Sequence, residues 1–398
     1  MRAFSMRILL LISPWLLGQV EAIYNPHIEY AGPTFFDKFA YYGNVDNTTW
    51  GNVTFLDQTD ATAQKLTFIN GAGNAVIKVD NTTTLTAGPP GQAVNRNSIR
   101  LTSLDSFGLG SLIIIDALHV PFGCSVWPSF WTYGIETEWP LSGEIDIIEA
   151  INNMNNNQIA LHTVQGCQQQ QLTPPAQTGN TLETDCSVPR GCIVAQPADS
   201  FGAGFAANGG GVFALQMEVS GIYVWYWNRA ALPPNLQSAT SSTPIDTTSW
   251  GLPSAAYPSG PSCNITQFFP PQNLVLLTTL CGVWAGVPSI YSNTCHTPTG
   301  DCFTDNVLGD GSNYVNAYWE IRYIRTYLSS NAIPSGSSSS SPTSPSQTPT
   351  GGSTVTQALT TTIASAPTVA PPVSSATTWR IPSATLLALA GSFLLWML

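Results

Sequence analysis

Six consecutive residues, Glu144-Ile145-Asp146-Ile147-Ile148-Glu149, set three carboxylates into a run of β-branched isoleucines. Isoleucine favours strands, and strand side chains alternate between faces, so Glu144 and Asp146 share one face. Glu149 lies five positions after Glu144 and falls on the opposite face of a regular strand. One extra residue between Asp146 and Glu149, taken up as a β-bulge, returns it to the first two. Crowded carboxylates repel one another, so such a cluster must hold acids that are protonated or hydrogen-bonded. Two carboxyls with separated pKa values are what glycosidic bond cleavage requires. The rival reading is a solvated strand face that happens to carry acids.

The flanks favour chemistry. Trp127-Pro128-Ser129-Phe130-Trp131 and Trp139-Pro140 precede the acids, and Leu161-His162-Thr163 follows them. The stretch from Trp127 to Thr163 resembles the active-site strand of glycoside hydrolase family 16 in its fungal laminarinase-type branch, whose pattern is a bulged E-x-D-x-x-E. The resemblance covers roughly residues 30 to 328. It implies an all-β, jelly-roll β-sandwich of concanavalin A-like type with a concave substrate-binding sheet, and a β-glucan polysaccharide as partner. It also implies retaining hydrolysis, with Glu144 as nucleophile, Glu149 as acid/base and Asp146 in support.

Further residues carry the resemblance outward. Trp131 and Trp139 match aromatics that line the glycone side, and His162 matches a histidine near the acid/base. Trp284, in Gly282-Val283-Trp284-Ala285-Gly286, matches a turn that flanks the aglycone side. Arg96, in Asn95-Arg96-Asn97-Ser98, matches a segment from which it would hydrogen-bond sugar hydroxyls. Two departures stand out: Val283 replaces an acid of the family pattern, and Gln216-Met217 stands where many relatives carry Glu-Trp. The second is expected to weaken a subsite. No cofactor and no metal are expected.

The strand geometry imposes a condition. With the bulge absorbing one step, the four remaining steps of roughly 3.3 Å put the outer acids about 13 Å apart at the backbone. Retention wants carboxyls about 5 Å apart, and a gap beyond about 6.5 Å suits inversion. The side chains must therefore converge, as residues on the inner face of a curved sheet do.

The elements around the acids are short and strand-like. Ala75-Val76-Ile77-Lys78-Val79, Ser98-Ile99-Arg100-Leu101 and the run 112–118 alternate with Gly, Asn and Pro clusters, the signature of an all-β sandwich. Phe35-Phe36-Asp37-Lys38-Phe39 reads as an edge strand, and the runs 211–219 and 222–229 as a hairpin joined at Ser220-Gly221. The runs 273–277 and 317–325 supply further strands. Residues 165–197, with four consecutive glutamines at 168–171, read as long loops.

Composition bounds the setting. The chain has 398 residues, of which only 9% are charged, and a net charge of −11, which argues against nucleic acid as a partner and suits a neutral substrate. Twelve tryptophans supply flat apolar faces for sugar rings, although cores claim most aromatics. Residues 1–22 read as a secretory signal peptide, with Arg2 and Arg7, an apolar run from Ile8, and a small-x-small end at Val20-Glu21-Ala22. Eight cysteines then read as a disulfide set, with Cys186 near Cys192 and Cys295 near Cys302 able to close small loops, while the pairing stays open. Four N-x-S/T sequons, at Asn47, Asn52, Asn81 and Asn264, agree with export.

The expected organisation is a catalytic domain over residues 23–328, a Ser/Thr/Pro-rich disordered stalk over 329–378, and a GPI-attachment signal over 379–398. The terminal apolar run of about 15 residues is short of the roughly 20 that span a bilayer. The expectation is a secreted monomer at the cell surface or wall, with membrane contact only through the anchor. A cell-wall transglycosylase is the rival within the same fold, and a non-catalytic glucan-binding module the rival from another class. The bulged motif leans toward hydrolysis, and the three crowded acids count against a mere binding module.

Overall fold

Runs of β-branched and aromatic residues cut by turn formers produce many strands and only short helices. A computed structural model describes residues 23–89, 91–295, 299–330 and 332, all within the unit Met1–Ser338. The signal segment, residues 333–378 of the stalk and the GPI-attachment signal lie outside the described residues. The last strand, Tyr318–Ser329, ends where the composition shifts.

Two antiparallel sheets make a sandwich. The nine-stranded sheet runs through Ile245–Asp246, Ile23–Ala31, Tyr318–Ser329, Ser111–His119, Gly211–Glu218, Gly221–Asn228 and Ala255–Pro258, with Ala75–Lys78 and Thr67–Ile69 branching from Tyr318–Ser329. The eight-stranded sheet holds the acids. Its order is Asn180–Thr181, Cys192–Ala195, Gln158–His162, Glu144–Glu149, Val126–Tyr133, Gln272–Leu280, Arg100–Phe107 and Phe39–Tyr41.

Period-two alternation separates the faces of that second sheet. Phe130, Ile145, Leu161, Leu274 and Leu276 pack into the core between the sheets, against Ile113, Ile115, Phe213 and Leu215 of the other layer. The intervening Trp131, Val275 and Leu277 join a second cluster with Val53 and Phe55 on the opposite face. This second face carries the acids.

Several expectations are corrected. Phe35 does not lie in an edge strand but in the 3-10 turn Gly32–Lys38, which opens on Pro33, and only Phe39–Tyr41 pairs at the sheet edge. Phe35 and Phe39 both reach the core, Phe35 from the turn and Phe39 from the extended strand that follows it. In the hairpin Glu218 pairs with Gly221, so the two-residue turn is Val219-Ser220. The 165–197 segment contributes two strands, Cys192–Ala195 beside Gln158–His162 and Asn180–Thr181 at the sheet edge. Gln216 and Met217 are buried in the nine-stranded sheet, where Met217 fills the core and Gln216 donates to the Tyr24 hydroxyl at 2.6 Å. No subsite is lost there. Disulfides join Cys124–Cys295, Cys167–Cys263, Cys186–Cys192 and Cys281–Cys302, so the short Cys186–Cys192 loop closes whereas Cys295 and Cys302 each pair elsewhere.

Candidate active site

The acid strand begins at a forced glycine. Gly143 has φ +65°, and a Cβ there would meet the Phe269 ring at 2.6 Å and the Phe268 carbonyl at 2.7 Å. From that turn Glu144 pairs with Tyr133 on one side and His162 on the other. Against Gln158–His162, Asp146 faces Ala160 and Glu149 faces Gln158, so three steps on the acid strand answer two on its neighbour. Against Val126–Tyr133 the extra residue appears between Asp146 and Ile148. The bulge anticipated from the additional isoleucine is present, and Ile147 and Ile148 are both buried in the core.

A bulge leaves ladder groups unpaired. Here Asn157, fully buried, supplies the partners: its Oδ1 accepts from the Glu149 N–H at 2.8 Å, and its Nδ2 donates to the Ile147 carbonyl at 2.9 Å and to Gln196 Oε1 at 3.0 Å. Glu149 is thereby fixed in its turn back to the face of Glu144 and Asp146.

Two indoles hold the outer acids. Trp127 Nε1 donates to Glu149 Oε1 at 2.8 Å, and Trp139 Nε1 donates to Glu144 Oε2. Asp146, 1% exposed, lies between them with His162 Nε2 at 3.4 Å from its Oδ2, an oxygen that otherwise has no hydrogen-bond partner. Across the sheet from Glu149, the Ser129 hydroxyl is likewise buried without a partner.

Burial raises all three carboxyls. Loss of water and then the Asp146 charge push Glu144 up to about 8, against the opposing pull of His162 and the Trp139 N–H. Glu149 is pushed up to about 7 by burial, partly relieved by the Trp127 N–H and raised again by Glu144. Asp146 is held well above the ordinary aspartate range by burial and then by the Glu149 charge. Three carboxyls so placed cannot all ionise, so near neutral pH the cluster keeps at least one proton ready for transfer.

The remaining sequence candidates separate. Trp139 is half-exposed with its ring 6.0 Å from that of His162, and both line a cavity of about 280 Å³ with Pro140, Thr163 and residues 186–189. Trp131, paired with Asp146, is only 8% exposed; it stacks on Tyr133 at 4.9 Å and lies beneath the Arg100 guanidinium. It forms the floor under Asp146 more than an open sugar platform. Trp284 packs edge-on against Trp127 at 5.4 Å, two contacts from Glu149, and Val283 beside it is exposed.

Arg96 is a correction. It is fully buried, and its guanidinium donates to the carbonyls of Val307, Asp80, Thr83 and Gly309 while lying over the Tyr314 ring. A side chain whose donors all end on backbone carbonyls has none left for sugar hydroxyls.

The sequence pattern does not mark Trp127 as a contact of Glu149, and it shows Arg100 only as part of a strand and Asn157 not at all. Trp127 sits on the same face as Ser129 and Trp131 by simple alternation, which could have pointed to it. Nothing in the local pattern marks Asn157. One carboxylate oxygen each from Glu144 and Asp146 and a ring nitrogen of His162 lie within 4.8 Å of one another and form the only set of metal-ligating type among the described residues. The same atoms take part in the carboxyl cluster, which suits proton exchange.

Comparison with known proteins shows what the chain is similar to. A family profile described as "XgeA-like, catalytic GH16 domain" matches residues 39–327. The Schizosaccharomyces pombe protein named "Probable glycosidase C21B10.07" is 37% identical over 307 residues, covering 75% of this chain and 68% of its own length. Endo-1,3(4)-beta-glucanase xgeA of Emericella nidulans is 33% identical over 321 residues, covering 78% of this chain and 48% of that one, so this chain spans about half of that relative. Among solved structures, GH16 laminarinase 16A from Phanerochaete chrysosporium, with 6-O-glucosyl-laminaritriose in both donor and acceptor sites, superposes with TM-score 0.69 at 34% identity over 77% of this chain and 100% of the other. An elongating GH family 16 β-1,3-glucosyltransferase gives TM-score 0.68 at 34% identity over the same shares.

Proposed function

The chain belongs to glycoside hydrolase family 16, and from that premise we propose that it is an endo-β-glucanase cleaving β-1,3 or mixed β-1,3/1,4 linkages with retention. The observation that carries the proposal is the convergence of Glu144, Asp146 and Glu149 on one face across the Asn157-held bulge, with an indole N–H on each outer acid. The named substrates of the relatives and the glucan held by the laminarinase neighbour support the same class.

In the first step Glu144 attacks the anomeric carbon while Glu149 delivers its proton to the departing glycosidic oxygen, and a glycosyl ester forms. In the second, Glu149 takes a proton from water, whose oxygen displaces Glu144 from the anomeric carbon. A Glu149 pKa raised to about 7 suits this double duty. Glu144 must begin ionised although burial raises it, and Asp146, its buried neighbour, is the site to which its proton can pass. Reducing-end release from a panel of β-1,3, mixed-linkage and β-1,6 glucans tests the reading; no release from any β-glucan would refute it.

A second reading draws on the glucosyltransferase neighbour: a sugar hydroxyl in place of water in the second step would give transglycosylation. Products longer than the starting oligosaccharide, formed when an acceptor is added, would favour it. Export and surface tethering complete the proposal. Four disulfides and the composition of the two chain ends support it, and release by a GPI-specific phospholipase tests it.

A further inference from the structure

Trp50 is 70% exposed, more than any other large apolar side chain among the described residues, and it holds φ +55°. An indole in the left-handed region is unfavourable on both counts, because the backbone is strained and the ring is left in water. The surrounding loop nevertheless forces it into place. Asp46, 5% exposed, lies beneath the loop: its Oδ1 accepts from the Thr48 N–H, the Thr48 hydroxyl and the Thr49 N–H at 2.9–3.0 Å. Its Oδ2 accepts from the Gly51 N–H at 3.1 Å, from the Thr279 hydroxyl at 2.7 Å and from the Thr49 hydroxyl. Gly51 is seated so closely on the sheet that a Cβ there would fall 1.8 Å from Thr279 Oγ1.

The loop's contacts place it at the rim of the acid site. On one side Arg100 Nη1 donates to Thr48 Oγ1 at 3.3 Å while its guanidinium lies over Trp131, the cross-strand partner of Asp146. On the other, the Thr49 carbonyl accepts from the Val283 N–H at 3.0 Å, and the Asn52 N–H donates to the Leu280 carbonyl at 2.9 Å. Val283 precedes Trp284, which packs on Trp127, the partner of Glu149. The loop thus rests on Arg100, which covers the floor residue under Asp146, and on the turn whose Trp284 packs on the Trp127 partner of Glu149, with the exposed Trp50 between Thr48 and Asn52 in sequence.

We propose that Trp50 is a stacking platform for a glucose ring of a β-glucan chain, outside the sugars at the acids and on the Trp284 side of the cleft. The apolar face of a pyranose packs on a flat aromatic ring, and an indole already fixed by its backbone loses little freedom when a sugar covers it. The platform selects for chain length: a polymer reaches Trp50 and the shortest cleavable oligosaccharide does not. This inference rests on the β-glucanase reading.

The test compares wild type with Trp50→Gly and Trp50→Phe on polymeric laminarin and on the shortest laminarioligosaccharide that the wild type cleaves. Glycine relieves the strained φ, so Trp50→Gly should keep or raise Tm. It should lower kcat/KM about tenfold on the polymer, through KM, and at least five times less on the oligosaccharide, while Trp50→Phe recovers most of the loss. Retardation in native gels containing laminarin, run in a Glu144→Gln background, reads binding apart from cleavage. Equal retardation with and without the indole, together with an unchanged polymer kcat/KM, overturns the platform and leaves the glucanase reading standing. A protein neither cleaving β-glucan nor retarded by it overturns both.

Discussion

Asn157 brackets the bulge before Glu149: one amide side chain accepts the Glu149 N–H and donates to the Ile147 carbonyl. Glu149 owes its direction to a residue from the neighbouring turn, held in place by Gln196 and the Ser200 hydroxyl. Asn157→Ala should leave two buried backbone groups unpaired, at a cost of about 2–4 kcal/mol. Because Glu149 loses its fixed direction, kcat should fall about 10- to 100-fold with KM little changed. Thermal melts and steady-state kinetics on laminarin read both effects, and an unaltered kcat would remove Asn157 from the site.

The three acids should separate by role. Glu144→Gln and Glu149→Gln are each expected to lower kcat by about a thousandfold or more, since neither amide attacks carbon or passes a proton. Asp146→Asn should retain residual activity, because asparagine still hydrogen-bonds Glu144 but cannot take its proton. Full turnover by either glutamine variant would overturn the assignment.

Trp127→Phe removes the indole N–H that Glu149 accepts while keeping an aromatic ring in its place. The indole N–H lowers the Glu149 pKa, so its removal must raise it. Glu149 has to be protonated at the start of the reaction, and the alkaline limb of kcat/KM should therefore move to higher pH even as the rate drops by about tenfold. A limb that stays in place, or moves down, contradicts the hydrogen bond's proposed effect.

The same raised values bear on stability. A carboxyl whose folded pKa lies above its unfolded value of about 4.3 binds more protons folded than unfolded between those limits, so stability falls as pH rises through the window. For Glu149 the window runs up to about 7 and for Glu144 up to about 8. Glu144→Gln and Glu149→Gln should thus be more stable than wild type at pH 8, by ~1–3 kcal/mol or several degrees in Tm, with the advantage gone near pH 4. Melts across that range decide it.

What could be read from the sequence was set by local rules. Alternation placed Glu144 and Asp146 together, the additional isoleucine marked the bulge, and turn residues punctuated the strands, because each of these depends on neighbours in the chain. Asn157 and the cysteine partners were not readable in this way. Their meaning depends on what lies opposite in three dimensions, as for Cys124 and Cys295, which are 171 residues apart. Phe35 and Phe39 misled for a related reason, since a turn and a strand can both deliver two rings to one core.

Arg96 shows how position along the chain differs from position in space. It stands one residue before Asn97 in a segment that pairs with Val53–Phe55, close to the site in sequence pattern, yet its guanidinium points into the domain and ties residues 80, 83, 307 and 309 together. A sugar-contacting arginine would raise KM when removed and leave the fold intact. Arg96→Met is expected to do the reverse: at least four backbone carbonyls lose a donor, and stability should drop by ~3 kcal/mol or more. The surviving folded enzyme, assayed well below its lowered Tm, should keep a KM for laminarin within about twofold of wild type. A raised KM with an unchanged melt would return Arg96 to the substrate.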